Sequence, residues 1–336
     1  EAAIGMGYRH IDTAQAYENE AKVGAAIAAS GVDRDELWVT TKVWMDNAAA
    51  DAVVKSTHDS LRRLGLDHVD LLLIHWPSQE VPLSETLGAM EKLVRSGEAR
   101  YIGVSNFTPS LLEESLELAA LQCVQVEHHP YLAQDRIRQM AERHELMLTA
   151  YSPLARGEVN DDDTLKAIGE ETGKTPAQVT LRWLTQHRNV AAIPKSSSKE
   201  HLKANLEVFD FELDAGQANR IAKLAEGKRL IDPDFAPQWA RLRAPWSARS
   251  GARTPRPGAD ARRHRGRSAG ARRCGRGSRS RCRRRAAGAA PPGPSRRGRR
   301  RRPRPGSRGS PRGEPRASSS PRSRRFARAG ARRGCA

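Results

Sequence analysis

Val69-Asp70-Leu71-Leu72-Leu73-Ile74-His75 is a nearly continuous apolar run, and its reading decides the fold. A strand that is apolar along its whole length has both faces covered, as in a parallel sheet packed under helices. Residues 83–96 follow with helical periodicity closed by Gly97, and Tyr101-Ile102-Gly103-Val104 then opens a further strand. Strand, helix and strand at that spacing form a β-α-β unit.

The same unit repeats in both directions. Toward the N-terminus, Tyr8-Arg9-His10-Ile11-Asp12 is a short strand. Residues 19–30 form a helix with Val23, Ala26 and Ile27 on one face, Leu37-Trp38-Val39-Thr40-Thr41-Lys42-Val43 is a buried strand, and residues 49–64 form the next helix. Toward the C-terminus, a helix over 109–119 has Pro at its first turn. Val124-Gln125-Val126-Glu127, a helix over 134–144, Met147-Leu148-Thr149-Ala150-Tyr151, a helix over 163–172 and a helix opened by Thr175-Pro176 follow. Val190-Ala191-Ala192-Ile193 is the last strand, with helices from Lys199 and over 214–225 after it.

Seven β-then-α units are one short of a (β/α)8 TIM barrel. Glu1-Ala2-Ala3-Ile4-Gly5-Met6-Gly7 reads as the end of a helix, with Gly7 suited to the positive φ of a closing residue. The expected fold is therefore α/β, a TIM barrel lacking its first N-terminal unit. The alternative is an open doubly wound sheet, which needs a glycine-rich phosphate loop after its first strand. Residues 1–240 contain no GxGxxG.

The net charge of +19 is unevenly distributed. Residues 1–240 hold 25 basic and 37 acidic residues, whereas 241–336 hold 33 arginines, no lysine and two acids. An acidic domain, residues 1–239, is thus expected to precede a disordered Arg/Gly/Pro-rich tail, residues 240–336, too poor in apolar residues to build a core. The tail has three readings: a nucleic-acid-binding arm, a solvated linker, or a non-native product of GC-rich DNA read in a shifted frame. The absence of Lys and the near absence of aromatics favour the last. Cys274, Cys282 and Cys335 lack CxxC spacing, so no metal site is expected. No stretch approaches the ~18 apolar residues of a membrane span. With no basic leader at Glu1 and a single cysteine, Cys123, before the tail, a cytoplasmic protein is expected.

In a barrel, chemistry gathers at the C-terminal ends of the strands. Those ends carry Asp12, Lys42, His75, Ser105-Asn106, Gln125-Glu127, Tyr151-Ser152 and Lys195-Ser196, with Tyr17 just beyond the first. Singly, each has an ordinary reading: a turn cap, a solvated lysine, a packed ring. Together, Asp12, Tyr17, Lys42 and His75 suit carbonyl reduction. The alkoxide left by hydride addition needs a proton, and a tyrosine with its ordinary pKa of ~10 is a weak donor at neutral pH. A neighbouring ammonium lowers that value, a carboxylate holds the ammonium, and a neutral histidine orients the carbonyl.

Gly7-Tyr8-Arg9-His10-Ile11-Asp12-Thr13-Ala14-Gln15-Ala16-Tyr17-Glu18-Asn19-Glu20 resembles the first signature of the aldo-keto reductases. Leu72-Leu73-Ile74-His75-Trp76-Pro77, Gly103-Val104-Ser105-Asn106-Phe107 and Ile193-Pro194-Lys195-Ser196 resemble its later ones, and Ala236-Pro237-Gln238-Trp239 is similar to the ending of bacterial 2,5-diketo-D-gluconate reductases. The resemblance covers about residues 1–239. It implies NADPH as cofactor, with NADH as the alternative. Tyr17 is then the general acid, Lys42 its pKa-lowering partner, Asp12 the anchor of Lys42, and His75 the orienter of substrate. It places Ser105, Asn106 and Gln125 on the nicotinamide carboxamide and Tyr151 on the ring. Ser152 and Leu154 fall at the diphosphate; Lys195, Ser196, Ser198 and Asn205 fall at the adenosine phosphate and adenine. Trp44 and Trp76 are expected to line the substrate mouth. His201 and Ala204 stand where the family often has Arg and Glu, which weakens a bidentate clamp on the 2′-phosphate. His128 also departs from the common Tyr, Ser or Leu at its position near the substrate side, and packing is its alternative reading.

The resulting expectation is a monomeric NADPH-dependent reductase of a small aldehyde or α-dicarbonyl, such as methylglyoxal or 2,5-diketo-D-gluconate. A general aldehyde or aldose reductase is the nearest alternative. A catalytically idle barrel with a nucleic-acid-binding tail is the more distant one. No membrane partner is expected, and a nucleic-acid partner only if the tail is genuine.

Overall fold

A computed structural model describes residues 1–239. The Arg-rich tail, with its expected disorder, lies outside the described residues. Seven strands form one sheet, paired in parallel and in chain order: β1 (His10–Asp12), β2 (Trp38–Val43), β3 (Val69–Ile74), β4 (Ala99–Ser105), β5 (Cys123–Glu127), β6 (Met147–Tyr151) and β7 (Val190–Ala192). The helices are α1 (Ala2–Gly5), α2 (Glu20–Ala29), α3 (Ala50–Leu64), α4 (Leu83–Ser96), α5 (Pro109–Leu118), α6 (Asp135–Arg143), α7 (Asp163–Thr172), α8 (Pro176–Thr185), α9 (Lys199–Leu206) and α10 (Ala215–Ala222). Each strand read from the sequence is present, with ends shifted by at most two residues. Among the described residues no helix is long and apolar enough to cross a membrane.

Local chemistry explains the helix ends. Thr175 caps α8 through a reciprocal pair with Gln178, and Pro176 occupies the first turn, where its missing N–H costs nothing. Gly97 closes α4 at φ 86, a conformation that a side chain resists.

Alternation along each strand serves two separate cores. Leu72 and Ile74 of β3, Val104 of β4, Val124 and Val126 of β5 and Leu148 of β6 join the helices in the main core. Leu71, Leu73 and Cys123, on the other face, form a small apolar cluster of their own. Gly103 lies beside that cluster, and a Cβ there would meet the Cys123 carbonyl at 2.3 Å and a Leu73 methyl at 2.8 Å. The interior therefore requires glycine at this point.

The sheet curls. The Tyr8 hydroxyl, just before β1, donates to the Leu202 carbonyl of α9 at 2.9 Å, and α1 packs on α9. Elements flanking the two edges thus touch, yet β1 and β7 are not paired. The described fold is a curled seven-stranded sheet. The eighth β/α unit that a closed barrel requires is not among its elements.

Candidate active site

Parallel register brings the polar strand ends to one rim. Asp12 lies opposite Thr40, Lys42 opposite Leu73, Ser105 opposite Gln125, and Glu127 opposite Tyr151. Lys42 is fully buried inside the curl. Its ammonium donates to the Asp12 carboxylate and, at 3.0 Å, to the Thr13 carbonyl. The second Asp12 oxygen accepts from Gln125 Nε2 at 2.8 Å. A charge so deeply placed persists only with such partners.

Tyr17 ends a 3₁₀ turn, Gln15–Tyr17, and the residue is 49% exposed. Lys42 Nζ lies 5.0 Å from its ring centroid. The turn is fastened by Gln15, whose Oε1 accepts from the Trp44 backbone N–H and from Asn47 Nδ2, each at 3.0 Å. Gln15 and the Thr13 carbonyl were not singled out in the sequence. One acts through a backbone oxygen and the other through a turn glutamine's side-chain amide, and neither residue type by itself marks the role.

His75 follows β3 and extends it, its N–H donating to the Val43 carbonyl at 3.0 Å. Its ring stands edge-on to Tyr17 and Trp44 at centroid distances of 5.5 and 5.3 Å. Burial, then the Lys42 charge, pushes its pKa down to about 3, so it is neutral at physiological pH. Its Nδ1 is buried with no partner among the described residues.

Ser105, Asn106 and Gln125 are buried polar residues along the rim beside these four. Asn106 adopts φ 62, tolerated by asparagine better than by most residues. Its Nδ2 donates to the His75 carbonyl at 2.9 Å, and its Oδ1 accepts from the Tyr151 hydroxyl at 2.6 Å. Burial raises the Tyr151 pKa well above that of an ordinary phenol, keeping it a donor. Ser152 follows with φ 48, and Leu154 packs on the main core. These residues form a buried polar ledge next to a histidine nitrogen without a partner among the described residues.

The remaining predicted contacts lie after β7. Lys195 is exposed, and Ser196 Oγ accepts from the Ser198 N–H at 3.1 Å. Ser198 caps α9 by accepting from the His201 N–H and donates to the Glu200 carboxylate at 2.6 Å. Asn205 is buried on α9. His128 does not face the site: it packs on Trp183, with Nδ1 against the Leu132 carbonyl, and is a buried packing residue.

Trp44 and Trp76 form an aromatic wall with two residues not predicted to take part. Phe235 lies 5.5 Å from Trp44 and 5.4 Å from Trp76, and Trp239 lies 6.2 Å from Trp76. In the sequence Trp239 stands out only as part of a terminal signature. Phe235 sits in an irregular segment where periodicity carries no information.

A model of the aldo/keto reductase family matches residues 1–226. Methylglyoxal reductase DkgB of Escherichia coli O157:H7 is 40% identical over 245 residues, covering 71% of this chain and 91% of that one. Glyoxal reductase of Bacillus subtilis (strain 168) is 42% identical over 232 residues, covering 68% and 83%. A solved structure described as a 2,5-diketo-D-gluconic acid reductase B aligns with a TM-score of 0.69 at 44% identity, covering 71% of this chain and 86% of that one. Given a family match across most of its length and relatives of this identity and coverage, the chain belongs to the aldo/keto reductase family.

Proposed function

We propose that this chain is an NADPH-dependent reductase of small aldehydes and α-dicarbonyls, a class that includes methylglyoxal and keto-sugar acids such as 2,5-diketo-D-gluconate. The observation that carries this reading is the cluster of Asp12, Lys42, Tyr17 and His75 around one rim. Bound NADPH would supply the hydride. Ser105, Asn106 and Gln125 would hold its carboxamide, and Tyr151 its ring. Ser152 and Leu154 would lie at the diphosphate, and Lys195, Ser196, Ser198 and Asn205 at the adenosine phosphate end. His201, in place of arginine, and the neighbouring Glu200 leave NADH as the alternative cofactor.

The chain's own residues would handle the proton. Neutral His75 orients the carbonyl oxygen toward the Tyr17 hydroxyl. As negative charge gathers on that oxygen, Tyr17 donates its proton. The Lys42 ammonium favours the resulting phenolate, and Asp12 keeps the ammonium in place. The names of the relatives support the substrate class. Residues 1–239 would act as one catalytic unit, a cytoplasmic monomer, with 240–336 as an appended tail.

The test is NADPH oxidation with methylglyoxal by the parent chain and by Tyr17→Phe. The variant is expected to lose about 10²–10⁴-fold in kcat with an unchanged circular dichroism spectrum. A fully active Phe variant would remove Tyr17 from the chemistry, and an inactive parent would sink the reading for this chain.

A further inference from the structure

After α10 the chain runs from residue 223 to 239 without regular secondary structure. An irregular segment keeps its place through a few specific bonds rather than a ladder. Lys228 is held by its N–H to the Tyr131 carbonyl at 3.0 Å and by an ion pair with Glu158; the next three residues all converge on one side chain, that of Glu127 at the end of β5. Glu127 is fully buried. Its Oε1 accepts from His129 Nε2 at 3.1 Å and from the Leu230 backbone N–H at 2.8 Å. Its Oε2 accepts from the Ile231 N–H at 3.2 Å and pairs with the Arg229 guanidinium at 3.6 Å. Two backbone donors and a cation of the segment thus meet one carboxylate about a hundred residues away in sequence.

From that clasp the segment continues into the aromatic wall. Phe235 is wedged between Trp44 and Trp76. Trp239 lies against Trp76, and the Arg229 guanidinium covers its ring at 3.7 Å. Trp44 in turn touches His75. Contact is continuous from Glu127 through Arg229, Trp239, Trp76, Phe235 and Trp44 to the group assigned to orient the carbonyl.

We infer that Glu127 is a positioning residue: it fastens residues 228–239 as the outer wall of the carbonyl pocket and thereby sets selectivity for bulky over small carbonyl substrates. This rests on the reductase reading. Glu127 does not touch the reacting atoms. A small dicarbonyl needs only the inner groups, whereas a substrate with a large substituent must also pack on Phe235 and Trp239.

The test uses the full chain with Glu127→Ala, Glu127→Gln and Leu230→Pro. The last removes the 2.8 Å donor from the segment side and leaves the sheet untouched. KM and kcat are measured with NADPH for phenylglyoxal and for methylglyoxal. KM for phenylglyoxal is expected to rise about tenfold in Glu127→Ala and Leu230→Pro, with kcat and the methylglyoxal constants within about threefold of the parent. Glu127→Gln, keeping one acceptor, falls between. Limited trypsin digestion gives a readout independent of activity: fragments ending at Lys228 form faster in both strong variants, and those ending at Arg229 in Glu127→Ala alone, because trypsin does not cut before the proline that Leu230→Pro introduces. Equal losses for the two aldehydes, or an unchanged cleavage rate at Lys228 in both strong variants, would overturn the inference. An inactive parent would defeat the reductase reading and leave the digestion result standing on its own.

Discussion

The middle of the sheet and its edges are built differently. β3 and β5 are buried at every position, whereas β1 is only half-buried throughout and β7 at two of its three residues. An inner strand has a hydrogen-bonded neighbour on each side, and an edge strand has one. The proposed reacting groups straddle this divide. Lys42 stands on β2, an inner strand buried at all but its first residue, and His75 beside fully buried β3, but Asp12 lies on β1 and Tyr17 in the turn beyond it. Apolar packing holds the first pair. Polar bonds from the inner strands hold the second: Lys42 and Gln125 to Asp12, and the loop after β2 to Gln15. In this molecule the electrostatics of the site also tie the edge strand to the sheet.

The largest expected effect comes from cutting that tie. Lys42→Met should lower kcat with methylglyoxal by more than about 10³-fold and leave the Asp12 carboxylate facing an apolar chain. Breaking a buried pair costs about 3–5 kcal/mol, to be measured by urea denaturation. Amide exchange should quicken at residues 10–12 and not at 69–74. Equal acceleration in both strands would erase the distinction between edge and centre.

A matched pair of truncations sharpens it. Leu72→Ala, in the middle of β3, should cost about 2–5 kcal/mol. Ile11→Ala, on partly buried β1, should cost less than half as much, because solvent already reaches the site. Equal shifts in the urea midpoints would show that β1 is packed as tightly as β3.

The smallest effect concerns pH. Burial holds His75 at about 3 and His128 at about 4. An unfolded histidine titrates near 6.5. Below that value the unfolded chain takes up protons that the folded chain refuses. Stability is therefore full above about 6.5 and falls with acidification toward the folded values. The Tm should drop by several degrees from pH 7 to pH 5, and His128→Leu should flatten the drop. Since His75 stays neutral over that range, kcat/KM should show no break near 6.5; a break there that vanishes in His75→Asn would refute the neutral assignment.

Much of the fold was legible because its elements are marked locally. The apolar run at 69–74, the Thr175-Pro176 start and the Gly97 stop each act within a few residues. The polar rim was legible for the same reason, since Asp12, Lys42, His75, Asn106 and Gln125 interrupt or end apolar strands. Gln15 and the Thr13 carbonyl were not, because a turn glutamine and a backbone oxygen look the same wherever they occur. For His128 the resemblance left open a substrate-side or a packing role, and only the structure shows its ring against Trp183.

By itself the sequence determined the order of strands and helices, the two apolar faces of each inner strand and the polar residues that end them. These follow from period, capping and composition, all short-range properties. Only the tertiary structure decided that Glu127 clasps Leu230 and Ile231, that Gln125 reaches Asp12, and that Phe235 and Trp239 complete the wall over His75. Those partners are about a hundred residues or more apart, or meet across an irregular segment, and only the curl of the sheet brings them within bonding distance.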